Sequence, residues 1–473
     1  MTTQAARHDA PERATAYAAF LRAHPGYVCD DLDAFRAREA RRLATRGDVY
    51  LDYTGGGVYP SSLVRDHAAW LLDGVYGNPH STNPTSSATT ERAESARRAV
   101  LEHVGADPEE YVAVFTPNAT GALKLVGESF PFAPGGTFLL TYDNHNSVNG
   151  IREFARARGA EVVYVGVRPP AMRLDDAELE AALARPGAGV PRLFAFPAQS
   201  NFSGVLHPLR WVERARAHGW HVLLDAAAFA PTHDLDLSSV PGDFVSLSFY
   251  KLFGYPTGVG ALVARREALA RLRRPWFSGG TIDYASVAEP RHDLHEGPEA
   301  FEDGTLNYLA LPAVEAGLRL LADRKAAIGK RVDALTAWTL RRFAEARHAD
   351  GAPLVTVYGP TDADGRGASI AFNVLDRAGR LIDHREVERR ANAERISLRT
   401  GCFCNPGAGE AALGISGHEL ARCFQGVERM SVETFRGCLV DKGSGAVRAS
   451  FGWASVFDDA FALVRLVASF ADA

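Results

Sequence analysis

Two neighbouring stretches decide the fold: WHVLLDAAAFAP, residues 220–231, and DFVSLSFYKLFGYPTGVGAL, residues 243–262. Each opens with a short, largely apolar β-type run and then turns polar, at Asp225 in the first and at Ser248 to Lys251 in the second. Similar runs lie upstream at YVAVFT (111–116), TFLLTY (137–142), EVVYVGV (161–167) and RLFAFP (192–197), with helical stretches such as ERAESARRAVLEHV (91–104) before or between them. Continuous apolar strands alternating with helices predict an α/β fold, a mostly parallel sheet covered on both faces. Past about residue 320 the pattern changes. An Arg- and Ala-rich helical stretch (324–349) precedes strand-like LVTVYG and ASIAFNV, helical DHREVERRANAE, then ISLRT, AVRASF and a last helix near 457–470. These predict a smaller α+β domain over 321–473, a large domain over 61–320, and a helical, charged segment, 1–60, packed on the small domain.

Composition narrows the function. The chain has 473 residues, 46% apolar and 23% charged, which suits a globular protein with a substantial core. A net charge of −5 argues against a dedicated nucleic-acid binder. No apolar run is long enough to span a membrane, and Arg7, Asp9, Glu12 and Arg13 interrupt any secretory leader. A cytoplasmic location is therefore expected, with the five cysteines reduced.

Four places carry candidate chemistry. Lys251 follows a strand among aromatic and aliphatic neighbours, where burial would favour a neutral, nucleophilic amine. Taken alone, a surface lysine whose stem lies over the core is the commoner arrangement. Asp225 ends a strand, the edge at which open α/β sheets bind ligands. An ordinary helix N-cap is its plainer role. Together the two suggest a pyridoxal phosphate (PLP) site. In VFTPNATGALKLVGESF (114–130) a strand runs into a helix, so Asn118, Ala119, Thr120 and Gly121 could offer N–H groups to a phosphate. TGGG (54–57) lacks the lysine of a nucleotide loop. Lastly, ISLRTGCFCNPGAGE (396–410) places Cys402 and Cys404 in a glycine-rich loop, with Arg399 nearby to favour a thiolate or hold a carboxylate. Two inert thiols, or half of a zinc site completed by Cys423, Cys438 or His418, are the alternatives.

Six motifs in order, YLDYTGGG, YGNPHSTNPTS, SFYKLFGYPTGVGAL, FEDGTLNYLALP, RTGCFCNPGA and GAVRASFGWASVFDD, give the chain from about 45 to 470 its resemblance to a known family. It resembles the amino-terminal domain of molybdenum cofactor sulfurases, relatives of the cysteine desulfurases among the class V aminotransferases. The resemblance implies a PLP-dependent transferase of fold type I, with a seven-stranded sheet in its large domain. It implies that Lys251 condenses with the PLP aldehyde, Asp225 pairs with the pyridine nitrogen and His145 stacks on the ring. Asn201 would lie near the ring hydroxyl and substrate carboxylate, and Ala119, Thr120 and Ser248 would contact the phosphate. Thr305 would reach the neighbouring subunit's phosphate, implying a homodimer. Arg448, with Arg399 beside it, would clamp the substrate carboxylate, and Cys404 would carry the persulfide.

Tyr250 and Ala228 stand where many desulfurases have histidine and glutamine, in agreement with the sulfurase branch. Gly409 stands where plant and animal sulfurases often have another cysteine. The expected reaction is conversion of L-cysteine to L-alanine, with sulfur passed from Cys404 to an acceptor protein or cofactor. No metal is expected. Another class V β-lyase or aminotransferase, or a docking scaffold for sulfur transfer, is the alternative. The sulfur acceptor, the choice among cysteine, selenocysteine and cysteine derivatives, and the role of Cys402 stay open. A loop rich in glycine is expected to let Cys404 swing between substrate and acceptor.

Overall fold

The apolar runs pair into one central sheet. In the computed structural model, which describes residues 10–187, 189–438 and 442–472, its strands are β1 (Tyr111–Thr116), β2 (Thr137–Thr141), β3 (Glu161–Val165), β4 (Leu193–Pro197), β5 (His221–Asp225), β6 (Phe244–Ser248) and β7 (Gly260–Arg265). They lie in the order β3-β2-β4-β5-β6-β7-β1. All run parallel except β7, which is antiparallel to both β6 and β1. The reason is the link from β6 to β7. It holds one short helix and a turn, too little chain for the crossover that parallel neighbours need. Both β4 and β6 are buried along their whole length; β4 is continuously apolar, while in β6 the small polar residues Ser246 and Ser248 alternate with apolar ones and face the ligand edge. The parallel strands therefore end at one edge, where Thr116, Thr141, Pro197, Asp225 and Ser248 lie together.

The helices that matter at this edge are α1 (Ala119–Ser129) after β1, α2 (Asn146–Asn149) after β2, and α3 (Phe249–Phe253) directly after β6. Gly260 opens β7 beneath the first of them. A Cβ there would stand 2.6 Å from the Asn118 carbonyl carbon, so only glycine lets the strand pass.

A second sheet holds β8 (Val355–Tyr358), β9 (Ser369–Val374), β10 (Arg399–Gly401) and β11 (Ala446–Ser450), all antiparallel in the order β8-β9-β11-β10. Helix Lys325–Glu345 packs on it through Phe343, whose ring lies 4.8 Å from that of Phe372, and helix Phe457–Ala468 packs on that helix, with Trp338 and Phe457 rings 4.9 Å apart. The N-terminal helix Ala10–Ala23 joins them through Phe20, whose ring lies 4.9 Å from that of Phe457 and 6.4 Å from that of Trp338. Tyr27 accepts the Phe457 N–H through its hydroxyl at 2.9 Å. The chain then runs as a short strand, Val49–Tyr50, parallel to Ile396–Ser397, and Asp52 bridges to Ser450. This pairing carries YLDYTGGG from the N-terminal region to the junction of the two sheets.

Two expectations change. EVVYVGV does not continue as one strand: β3 ends at Val165, and after Gly166 the residues Val167–Arg168 pair with Arg173–Leu174 in a small hairpin. Nor are all five thiols reduced. Cys423 and Cys438 form a disulfide with Cα atoms 5.8 Å apart. Their helices, Gly417–Phe424 and Val432–Cys438, gather Ile415, Leu420, Met430 and Phe435 into a small apolar cluster that brings the two sulfurs together. Spacing along the chain does not reveal that packing. Among the described residues no helix is long and apolar enough to cross a membrane.

Candidate active site

Asp225 closes β5 with 9% of its surface exposed. Its Oδ1 accepts the Ala227 N–H at 3.1 Å and the Ser246 hydroxyl at 2.8 Å, the latter from the facing position on β6. Both bonds fall on one oxygen, which leaves Oδ2 for a ligand donor. Lys251 lies in the single turn of α3, three residues past the end of β6. Its amine and Asp225 line the same pocket, with His145, Asn201, Thr120 and Ser248. Burial pushes the Lys251 amine below its ordinary value, Asp225 counters this and Arg448 adds to it. An amine so placed more readily sheds its proton and acts as a nucleophile or base.

His145 caps α2. The Ser147 N–H donates to its Nδ1 at 3.1 Å, so the neutral ring carries its proton on Nε2. Burial pushes the ring's pKa down; Asp225 opposes this, while Lys251 and Arg448 reinforce it. Across the pocket, the side chain of Asn118 accepts the Gly121 N–H at 3.0 Å and caps α1. The N–H groups of Ala119 and Thr120 stay outside the intrahelical ladder by helix geometry. Beside them the Ser248 hydroxyl is buried with no hydrogen-bond partner. This end of the pocket suits a phosphate: positive helix terminus, free N–H groups and an unsatisfied hydroxyl. The residues thus fit PLP. Ala119, Thr120 and Ser248 would hold its phosphate, Asp225 its protonated ring nitrogen, His145 its ring face and Lys251 its aldehyde.

Asn201 and Arg448 stand next to this cradle. Arg448 is 3% exposed; its Nη1 donates to the Asn201 carbonyl at 2.8 Å and its Nη2 to Asp52 Oδ1 at 3.1 Å, while Nε is buried without a partner. Arg399 binds the other oxygen of Asp52 through Nε at 3.0 Å and Nη2 at 2.6 Å. Burial pulls the Arg448 guanidinium down and Asp52 raises it; Arg399, more exposed, is raised by its bond to Asp52. Asp52 is the group that sequence reasoning missed. Its signal lay inside YLDYTGGG, where the glycines drew attention instead.

The cysteine loop is built differently from the swinging arm expected. Cys402 and Cys404 are both free and exposed. Gly407 and Gly409 are buried inside a helix, Pro406–Ala412, and a Cβ on Gly407 would collide with the Tyr142 carbonyl oxygen. Gly407 thus serves close packing, and neither glycine lies in a free loop. Phe403 and Cys404 have φ of 55° and 54°, a left-handed pair of non-glycine residues. Large-domain groups pin it: Asn201 Nδ2 donates to the Phe403 carbonyl at 2.7 Å and the Asn146 N–H to that of Cys404 at 2.7 Å. Asn405, fully buried, donates to the Asp143 carbonyl at 2.6 Å and to Asn201 Oδ1 at 2.9 Å. Phe403, between the two cysteines, has its ring 4.8 Å from the Arg448 guanidinium and its carbonyl on the pocket residue Asn201, so the loop borders the pocket. Cys423 and Cys438, bonded to each other, do not complete a zinc site with the loop cysteines. Thr305 is exposed, accepts from Asn78 Nδ2 at 3.3 Å, and lines a separate cavity with Pro117 and Gly258.

The arrangement has close counterparts. A family model for aminotransferase class-V proteins matches residues 49–463. The chain belongs to the aminotransferase class-V family. It is 38% identical over 465 residues to the molybdenum cofactor sulfurase of Bos taurus, covering 93% of this chain and 52% of that protein. It is 37% identical over 488 residues to that of Arabidopsis thaliana, covering 93% and 58%. The chain therefore spans about half the length of the curated relatives it matches. Among solved structures, the apo cysteine desulfurase of Thermococcus onnurineus NA1 superposes with a TM-score of 0.77 at 24% identity, over 93% of this chain and 98% of that one. This likeness shows a shared fold, the α/β architecture with a seven-stranded, mostly parallel sheet.

Proposed function

We propose that this class V protein is a PLP-dependent cysteine desulfurase of the molybdenum cofactor sulfurase type. It takes the sulfur of L-cysteine onto Cys404, releases L-alanine, and passes the sulfur to an acceptor protein or cofactor. The observation that carries this reading is a single one. A buried lysine amine shares a pocket with a strand-end carboxylate, and a pinned loop carrying a free, exposed thiol borders that pocket through Asn201.

PLP, when bound, supplies an aldehyde for the substrate amine and an electron sink for its Cα. The protein's residues do the rest. Arg448, through the N–H groups that Asp52 and Asn201 leave free, receives the substrate carboxylate. Lys251 takes the Cα proton and returns it. Asp225 holds a proton at the ring nitrogen through a charge-assisted hydrogen bond, and His145 orients the ring face. Cys404, as a thiolate, attacks the substrate sulfur. The new S–S bond forms as the Cβ–S bond breaks, and its electron pair stays with Cβ, which takes a proton to become the methyl of alanine. Because Cys404 is exposed and its backbone pinned, the acceptor comes to the thiol.

The proposal includes a homodimer. Thr305 sits apart from this chain's own Lys251 pocket, as a residue serving a second subunit's site would. Sedimentation of the holoenzyme should show a dimer, and a fully active monomer would remove Thr305 from the site. The test of function is incubation with L-cysteine without reductant, measuring alanine and mapping sulfur by mass spectrometry. Cys404→Ser should show no one-sulfur adduct and almost no alanine, whereas Cys402→Ser should show both. Alanine and sulfide released at the normal rate by the double variant would instead mark a lyase that needs no cysteine.

A further inference from the structure

The strongest unassigned feature is the ion triad at the junction of the two sheets. Asp52 lies between two guanidinium groups, with one oxygen on Arg448 and the other on Arg399. Its side chain is 12% exposed and that of Arg448 4%, while that of Arg399 is 51% exposed. The chain makes room for the group. A Cβ on Gly55 would stand 2.5 to 2.6 Å from both Asp52 oxygens and from Arg399 Nη2. Asp52 also acts beyond its partners, since its charge raises the pKa of Lys251.

We propose that Asp52 sets the charge specificity of the substrate site. This rests on the reading of Arg448 as the substrate-carboxylate anchor. Two arginines and one aspartate leave one positive charge in excess, which matches one carboxylate. Arg448 keeps its buried, unpartnered Nε for that ligand, while Asp52 and the Asn201 carbonyl hold the guanidinium in place through Nη2 and Nη1. A substrate with a second anionic group would find Arg399 already neutralised by Asp52, and the Asp52 charge set directly behind the Arg448 anchor. A buried charge without a partner is costly. Asp52 therefore admits amino acids with neutral side chains and turns away those with anionic ones, by repulsion as much as by attraction.

The test uses PLP-loaded enzyme and two probes, L-alanine and L-aspartate, with Kd measured by calorimetry. Wild-type enzyme should bind L-alanine more tightly. Asp52→Asn raises the excess charge from one to two and should move the ratio of the two Kd values about tenfold toward L-aspartate, the counterpart of about 1.4 kcal/mol. Arg399→Gln lowers the excess to zero and should move the ratio the other way. The double variant restores an excess of one and should return the ratio to within about threefold of wild type. Loss of packing alone would weaken both probes together, and no second substitution would repair it. The inference is overturned if Asp52→Asn shifts both Kd values by the same factor, or if the double variant keeps the altered ratio. Should Asp52→Asn fail to fold, Arg399→Gln decides alone: an unchanged ratio refutes the inference. Failure of the desulfurase reading shows separately, as wild-type enzyme that binds L-alanine but forms none from L-cysteine.

Discussion

Replacing Asn405 by alanine should silence the thiol while leaving Lys251, Asp225 and the phosphate end of the pocket in place. Phe403 and Cys404 both occupy the left-handed region, at about 1–2 kcal/mol each, or roughly 3 kcal/mol in total. Five hydrogen bonds hold them there: Asn201 to the Phe403 carbonyl, the Asn146 N–H to that of Cys404, the Asn405 N–H to that of Cys402, and the two from the Asn405 amide. At about 1 kcal/mol net each, they sum to roughly 5 kcal/mol. Losing the amide's two leaves about 3 kcal/mol of restraint against about 3 kcal/mol of strain. It also strands two buried acceptors. The loop should then relax toward ordinary backbone angles, and a displacement of about 1 Å at Sγ can cost about 100-fold in rate. Asn405→Asp is the informative control. It keeps the cap that accepts the Ala408 N–H at 3.2 Å but cannot donate to the Asp143 carbonyl or Asn201. Both variants should release alanine from L-cysteine about 100-fold more slowly while keeping the absorbance of the lysine-bound cofactor. Alanine release within about threefold of wild type in both would refute the idea that a pinned, strained loop presents Cys404.

Lys251→Ala should lose the violet absorbance of the lysine-bound cofactor, borohydride trapping and all turnover; retention of these would displace Lys251 from the site. Asp225→Ala should keep some PLP but slow hydrogen–deuterium exchange at the substrate Cα by orders of magnitude, each tenfold being about 1.4 kcal/mol of barrier. Unchanged exchange, followed by proton NMR, would contradict its role. His103, whose Nε2 is buried without a partner, is pushed down to about 3, chiefly by burial and then by Lys325. The unfolded chain binds this proton below about pH 6.5 and the folded chain only near 3, so stability is lost as pH is lowered through that window. His103→Leu should flatten the acid limb of a urea-denaturation series, and an identical limb would show that other groups dominate.

Local sequence determined the strands and where their polar ends lie. The run from Val222 to Leu224 closing on Asp225 reads as a buried parallel strand, because a strand covered on both faces omits polar alternation. Parallel strands share an edge, so residues far apart in sequence, Thr116, Asp225 and Ser248, become neighbours by topology alone. Lys251, Asp225 and the start of α1 were legible for that reason. The rest depended on tertiary structure. Asp52, Arg399 and Arg448 come from an N-terminal segment and two strands of the second sheet, and no local pattern links a carboxylate to arginines 347 and 396 positions away. The Cys423–Cys438 bond follows from the packing of two short helices. The cysteine loop shows the same limit in reverse. Its glycines suggest mobility, yet Gly407 is required by the Tyr142 carbonyl pressed against it. The unusual backbone belongs to Phe403 and Cys404, whose side chains carry no preference for it. Residue type reports what a backbone can do unaided. Contacts from Asn146, Asn201 and Asn405, assembled only when the two sheets meet, decided what it does here.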